Sequence, residues 1–304
     1  MVYLRKYLNL KIAAIVFIFS LLPAGFIAAG DETDSFHFTV TADMRTNHEQ
    51  FREVCRVINQ KMGGPGAFHI SAGDTEPEAK NRKIIDEEFG ADAIWYPVVG
   101  NHESENDMKW IRGAFHSLPY IVNDGPVKCE ETTYSFDYKN AHFVILNEYY
   151  NGIEDKKTDG DIVPELLGWL KNDLDKNTKP FIFVFGHEPA FPMSDEYWKN
   201  ERHYGDSLDK YAGNRDAFWD LLEDKHVIAY ICGHTHRYSH YQRERGKVWQ
   251  ITVGSRPYPE NTSKYDALLN VIVSGSDVKF EVYRDLDGDG EYIIYDSWLA
   301  GEGT

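Results

Sequence analysis

Cysteine is scarce in this chain, with three in 304 residues: Cys55, Cys129 and Cys232. They are odd in number and lack paired spacing, so they form no thiolate metal cluster and the fold is not expected to depend on disulfides. Cys232 sits in an apolar strand pattern and reads as core. A Cys55–Cys129 bridge stays open for an exported protein, but nothing in the spacing argues for it. Basic residues are also in deficit, 32 Lys and Arg against 49 Asp and Glu, for a formal charge of -17. Such a chain repels nucleic acid and anionic membrane surfaces at long range, so no nucleic-acid binding is expected. A small phosphorylated substrate is not excluded, because bound cations reverse the sign of the field locally. Internal repeats and low-complexity linkers are absent too, which leaves no seam for a second domain.

Only one long apolar run occurs. Residues 12–27 are mostly apolar, follow the basic Arg5, Lys6 and Lys11, and precede Ala28-Ala29-Gly30. This is the pattern of a cleaved signal peptide over residues 1–29. No cysteine lies near the cleavage point, which argues against a lipid anchor. A retained membrane anchor is the alternative, since the run, broken by Pro23, is almost long enough to span. With the three basic residues removed, the formal charge becomes -20. The expectation is a secreted or periplasmic protein with no membrane contact after cleavage and a single domain over residues 30–304. Nothing here fixes its oligomeric state.

Short apolar, β-rich runs alternate with helical patterns. Strands are expected over residues 36–42, 68–72, 95–99, 142–146, 181–185, 228–232 and 249–253, and helices over 49–62, 164–175 and 215–223. Pro164 suits a helix start, with Glu165 in the first turn, where the dipole favours an acid. From about residue 265 the pattern becomes successive strands, 268–274, 278–283 and 291–295, completing the domain. An α/β layered sandwich, mixed sheets flanked by helices, fits this order.

Polar residues concentrate where these strands end. The blocks read Thr41-Ala42-Asp43-Met44-Arg45, Gly73-Asp74, Gly100-Asn101-His102-Glu103, Gly186-His187-Glu188 and Gly233-His234-Thr235-His236. Each alone has a plain explanation as a turn or a packed histidine. Five of them at strand ends point to one shared ligand, because α/β sheets collect ligands at the carboxyl ends of their strands. His234 and His236, two apart in extended chain, face the same side.

In this order the blocks resemble the calcineurin-like metallophosphoesterases, which carry Asp-x-His, Gly-Asp, Gly-Asn-His-Asp/Glu, Gly-His and Gly-His-x-His. The resemblance runs from about residue 36 to 253. It implies a four-layer αββα sandwich of mixed β-sheets flanked by helices, with a two-metal site. By position, Asp43, Asp74 and His236 would hold one ion, and Asp74 would bridge to a second completed by Asn101, His187 and His234. Mixed N/O ligation without thiolate suits Mn, Fe or Zn. Metal-activated water would attack phosphorus, and His102 would protonate the leaving group or stabilise the phosphoryl oxygens. The acid that orients this histidine in some relatives is Pro77 here, so Glu76 or Glu103 would have to substitute.

The first block departs from the pattern, because Arg45 stands where a ligating histidine is usual and has no lone pair to offer. Arg45 would then leave the first ion more weakly held, grip the substrate phosphate, or mark a degenerate site. His48 is a candidate stand-in ligand. The expected function is an exported metal-dependent phosphoesterase acting on a small phosphate mono- or diester. The alternative is a catalytically degenerate, metal-stabilised binding protein on the cell exterior.

Three weaker signals remain. Residues 189–214 form a long aromatic-rich segment able to cap substrate. Asp285, Asp287 and Asp289 with Asp296 follow a calcium-loop spacing and are a candidate structural Ca site, although strand-like flanks argue against a full EF-hand. Asn261-Thr262-Ser263 matches a glycosylation acceptor, and Ser255 and Arg256 could face the site.

Overall fold

Strand β1 (Phe36–Thr41) opens a βαβαβ run. It continues through α1 (His48–Met62), β2 (His69–Ser71), α2 (Glu78–Phe89), β3 (Trp95–Pro97) and α3 (Glu105–Phe115). This is a computed structural model, and it describes residues 35–45, 48–155, 159–195, 197, 202–254 and 267–301. Residues 1–29, read above as a signal peptide, and Ser255, Arg256 and Asn261-Thr262-Ser263 lie outside the described residues. Strands β1, β2 and β3 pair in parallel. The far side of β1 is extended antiparallel by β11 (Ala267–Ser274), β12 (Asp277–Arg284) and β13 (Ile293–Leu299).

The second sheet begins with β4 (Ile121–Asp124), β5 (Tyr134–Tyr138) and β6 (Ala141–Ile145). After α4 (Pro164–Lys176) come β7 (Phe181–Phe185), α5 (Ala212–Asp224), β8 (Ala229–Cys232), β9 (Ser239–Tyr241) and β10 (Trp249–Thr252). Its order is β4-β5-β6-β7-β8-β10-β9, with β6, β7, β8 and β10 parallel. All five residues of β7 are buried, as expected of a parallel strand covered on both faces.

Phe38, Phe68, Phe143, Phe183 and Phe185 fill the space between the sheets. The Phe38 and Phe143 rings meet edge to face with centroids 5.3 Å apart. Helices α1 and α2 cover the outer face of the first sheet through Phe51, Val54, Ile58 and Ile84. Helices α4 and α5 cover the second through Leu166, Leu170, Phe218 and Trp219. The result is the four-layer αββα sandwich.

Several elements differ from the sequence expectation. Helix α2 carries few apolar residues, burying Ile84 and Ile85 among charges, so its periodicity is faint. Helix α3 had a usable signal: the Asp107 carboxylate accepts the Ser104 N–H at 3.0 Å, closing a Ser-x-x-Asp cap. Strand β13 starts later than expected and runs through polar Asp296 and Ser297 to Leu299, because backbone pairing to β12 holds it where side-chain pattern does not. The three cysteines are free and buried, and no Cys55–Cys129 bridge forms: Cys55 packs outside the first sheet and Cys129 outside the second.

A buried His142 ties four elements together. Its Nδ1 lies 2.8 Å from Asp137 and its Nε2 2.8 Å from Asp173. Asp173 also accepts from Asn123 on β4 and Ser135 on β5. Burial, the largest single influence, lowers the His142 pKa, but the bonds and charges of Asp173 and Asp137 together outweigh it and the net shift is upward. A histidine raised above its unfolded value contributes stability that is fully present below about pH 6.5 and is lost as pH rises through the folded value. Urea midpoints should therefore fall as pH is raised through that range. In His142→Gln the slope should flatten, and total stability should drop by about 3 kcal/mol because the buried Asp173 loses its charged partner and keeps only its bonds to Asn123 and Ser135.

Candidate metal centre

The turns after β1, β2 and β8 share one backbone feature. Asp43, Asp74, His234 and His236 all have left-handed φ, at 60°, 54°, 68° and 53°. That conformation costs a non-glycine residue about 1 kcal/mol or more, and such strain gathers at functional sites. The glycines of the blocks permit the close approach: a Cβ on Gly73, itself at φ +86°, would lie 2.2 Å from His187 Nδ1.

Together the turns form a buried floor of acceptors. The Asp43 Oδ1 accepts the His234 N–H at 3.2 Å and lies 3.6 Å from His236 Nε2, while Asp43 Oδ2 is buried without a hydrogen-bond partner. His187 donates from Nδ1 to the Ala72 carbonyl at 2.8 Å, which leaves its Nε2 with a lone pair. That lone pair faces Asn101 Oδ1 at 3.2 Å, Asp74 Oδ1 at 3.4 Å and Asp43 Oδ1 at 4.0 Å. Burial, more than any other influence, lowers the His187 pKa to about 3, so this nitrogen stays an acceptor. Acceptors that face one another across 3–4 Å in a dry site repel, and a cation between them reverses the sign of every contact. Asp43, Asp74 and His236 each bring a ligating atom, all within 4.8 Å of one another. Burial, then the charge of Asp74, pushes the Asp43 carboxyl well above the usual carboxylate range.

His234 joins this floor less directly. Its Nε2 donates to the Asp206 carbonyl at 3.0 Å, so Nδ1 carries the lone pair, and its ring meets that of His187 edge to face at 5.2 Å. Arg45 sits at the rim. Its Nη1 donates to His102 Nδ1 at 2.6 Å, its Nε lies 3.6 Å from Asp74 Oδ2, and Nη1 lies 3.8 Å from Glu76. Nδ1 of His102 is therefore an acceptor and the ring proton sits on Nε2, 3.9 Å from Asp74. The orienting partner of His102 is thus the arginine itself. Glu103 acts elsewhere, accepting the Thr75 N–H at 2.9 Å and the Gly100 N–H at 2.8 Å, so it braces the two turns. Glu76 meets the guanidinium, and His48 opens α1 and belongs to no group of converging ligating atoms among the described residues.

Sequence reasoning missed Glu148. It is fully buried, and it accepts the N–H groups of His187 at 2.9 Å and Glu188 at 2.6 Å as well as the Tyr230 hydroxyl. No motif surrounds it, so the chain carried no signal for it. The acidic loop near the C-terminus differs from the expected twelve-residue calcium loop. Asp285, Asp287 and Asp289 converge within 4.8 Å, but Asp296 does not join them. It pairs with Val282 across β12–β13, and its carboxylate accepts from the Tyr238 hydroxyl at 2.7 Å and lies 3.1 Å from His240. The flanks are antiparallel strands, so the twelve-residue spacing never closes into a loop. A cleft of about 880 Å³ lined by Trp95, Trp110 and Lys109 lies between α2, β3 and α3, and it contains none of the converging ligating atoms.

The calcineurin-like phosphoesterase family model matches residues 36–238. No curated protein sequence matches the chain. Among solved structures, GAP50, the anchor in the inner membrane complex of Plasmodium, superposes with a TM-score of 0.54 at 15% identity over 87% of this chain and 88% of its own. PhoD superposes with a TM-score of 0.56 at 12% identity over 90% of this chain and 70% of its own. At these identities the likeness is one of fold.

Proposed function

Because the chain belongs to the calcineurin-like phosphoesterase family, we propose that it is an exported, metal-dependent hydrolase of a small phosphate mono- or diester. The observation that carries this reading is the ring of buried acceptors at the strand ends, with an orphaned Asp43 Oδ2 and the lone pair of His187 facing carboxylate and amide oxygens. The donor set fits divalent transition metals: carboxylate, amide and imidazole without thiolate suit Mn, Fe or Zn. Asp43, Asp74 and His236 would hold one ion, and Asp74, Asn101, His187 and His234 the other. Ions held there supply the Lewis acidity that activates water and offsets phosphoryl charge.

The chain's own groups orient the ester. Hydrolysis joins a water oxygen to phosphorus and breaks the P–O ester bond, and the alcohol leaves with a proton. His102, held by Arg45 with its proton on Nε2, donates a hydrogen bond to a phosphoryl or leaving oxygen. Arg45, one-fifth exposed at the rim, adds a fixed positive charge that grips phosphate oxygens. Export is supported by the basic-then-apolar segment at residues 1–29, and no helix among the described residues is long and apolar enough to cross a membrane.

The test is elemental analysis of the purified protein paired with a panel of mono- and diesters in Mn, Zn or Fe. Turnover that His102→Ala abolishes supports the reading, and an inactive wild type across the panel overturns it. One observation favours the degenerate alternative, the guanidinium in place of a ligand beside Asp74. Arg45→His separates the two. We expect this variant to bind more metal per chain yet lose about ten- to a hundredfold in kcat/KM, since a charge-assisted contact to phosphate disappears. A gain in activity would show that Arg45 only obstructs metal binding.

A further inference from the structure

The acceptors of the floor are buried, whereas the groups above them are partly open, and Arg45 among them carries a fixed positive charge. Asp43, Asp74, His187, His234 and His236 are 5% exposed or less, while the side chains of Arg45, His102 and His203 are 20%, 38% and 24% exposed. His203 belongs to the segment after β7, from the other sheet than Arg45. Its ring lies against that of His234 with centroids 4.1 Å apart. Arg202 donates from Nε to His203 Nε2 at 2.8 Å, so its guanidinium is held at the edge of the His203 ring.

Described residues on both sides of this pair are fastened. Upstream, Asp195 is locked by Arg284 at 2.8 Å in a buried ion pair. Downstream, the Ser207 hydroxyl donates to the His203 carbonyl at 3.1 Å and the Asp206 carbonyl takes the His234 Nε2–H. A guanidinium from the turn after β1, on His102, and another from the segment after β7, on the His203 that packs against His234, thus flank the same group of histidines.

From this placement we infer that Arg202, held by His203, is a substrate-binding residue that grips a terminal phosphate and makes the site select phosphate monoesters over diesters. A monoester offers a dianion with three terminal oxygens, enough for the floor cations and for a guanidinium on each side. A diester has one charge and two terminal oxygens, and its second organic group would have to occupy the space in front of Arg202 and His203. The inference rests on the phosphoesterase reading above.

Steady-state kinetics on p-nitrophenyl phosphate and bis(p-nitrophenyl) phosphate, with the metal-loaded full chain, test it. Wild type should favour the monoester. Arg202→Gln should lower kcat/KM for the monoester by about thirtyfold, the worth of one charge-assisted contact, and for the diester by less than about threefold. Arg202→Lys, which keeps the charge without the fork, should fall between. Circular dichroism and Tm establish that the variants are folded; should Arg202→Gln fail to fold, Arg202→Lys carries the comparison with about a tenfold selective loss. Equal losses on both esters, no loss on either, or a wild type that cleaves only the diester overturns this inference and leaves the phosphoesterase reading standing. A wild type that cleaves neither ester overturns that reading first.

Discussion

Asp74→Asn should lower kcat for phosphate ester hydrolysis by about a thousandfold and remove at least one bound ion per chain. In the proposed two-ion centre Asp74 would serve both ions: it groups with Asp43 and His236 on one side and lies 3.4 Å from His187 on the other. An amide keeps the hydrogen bond that the His102 N–H makes to Oδ1 at 3.0 Å, so the turn survives and the loss falls on charge. The magnitude is that of removing a main electrostatic contributor at a preorganised centre. Stability should move the other way. The charge of Asp74 raises the pKa of Asp43, Glu76 and Glu103, in each case second to burial, so the metal-free site is a cluster of acids in mutual conflict. In chelator, Asp74→Asn should unfold at higher urea than wild type, by about 1 kcal/mol. A variant that retains both its ions and its turnover would remove Asp74 from the centre.

The second large effect is on stability. Arg284→Ala should cost about 3–5 kcal/mol, measured by urea unfolding, because it strands a fully buried carboxylate. Arg284 approaches Asp195 at 2.8 and 3.4 Å, and its guanidinium lies 5.5 Å from the Tyr238 ring centroid and 4.9 Å from that of Tyr295. Asp195 also accepts the Tyr197 N–H on Oδ1 at 2.9 Å and the Tyr238 N–H on Oδ2 at 3.1 Å, so asparagine removes the charge but keeps only one of these two bonds. The double variant Arg284→Met with Asp195→Asn should recover about half of the loss, since no unpaired charge stays buried. Additive losses in the double variant would mean that the pair is not coupled.

Much of the fold was legible because it rests on short-range periodicity. The buried residues of α1, Phe51, Val54, Cys55 and Ile58, recur at helical spacing, and the unbroken apolar run of β7 marks a strand with both faces covered. Helix α2 was hidden because only two of its apolar residues enter the core, and β9 because three residues are too few to show a period. At the centre, the residue types were legible as glycine-flanked acids, amide and imidazoles at strand ends. The role of Arg45 as the partner of His102, 57 positions away, was not, and neither was that of Glu148 behind His187.

The order of residues thus settled which side chains enter the core, where strands stop, and which chemistry is present at those stops, because each of these depends on neighbours within a turn of helix or a few residues of strand. The tertiary structure alone decided which lone pairs face each other, which histidine nitrogen keeps its proton, and that Asp195 finds Arg284. Asp43 and His234 meet across 191 positions and the Asp195–Arg284 pair across 89. Contacts of that span follow from sheet order and from the burial that excludes water from the site, and no local pattern encodes either.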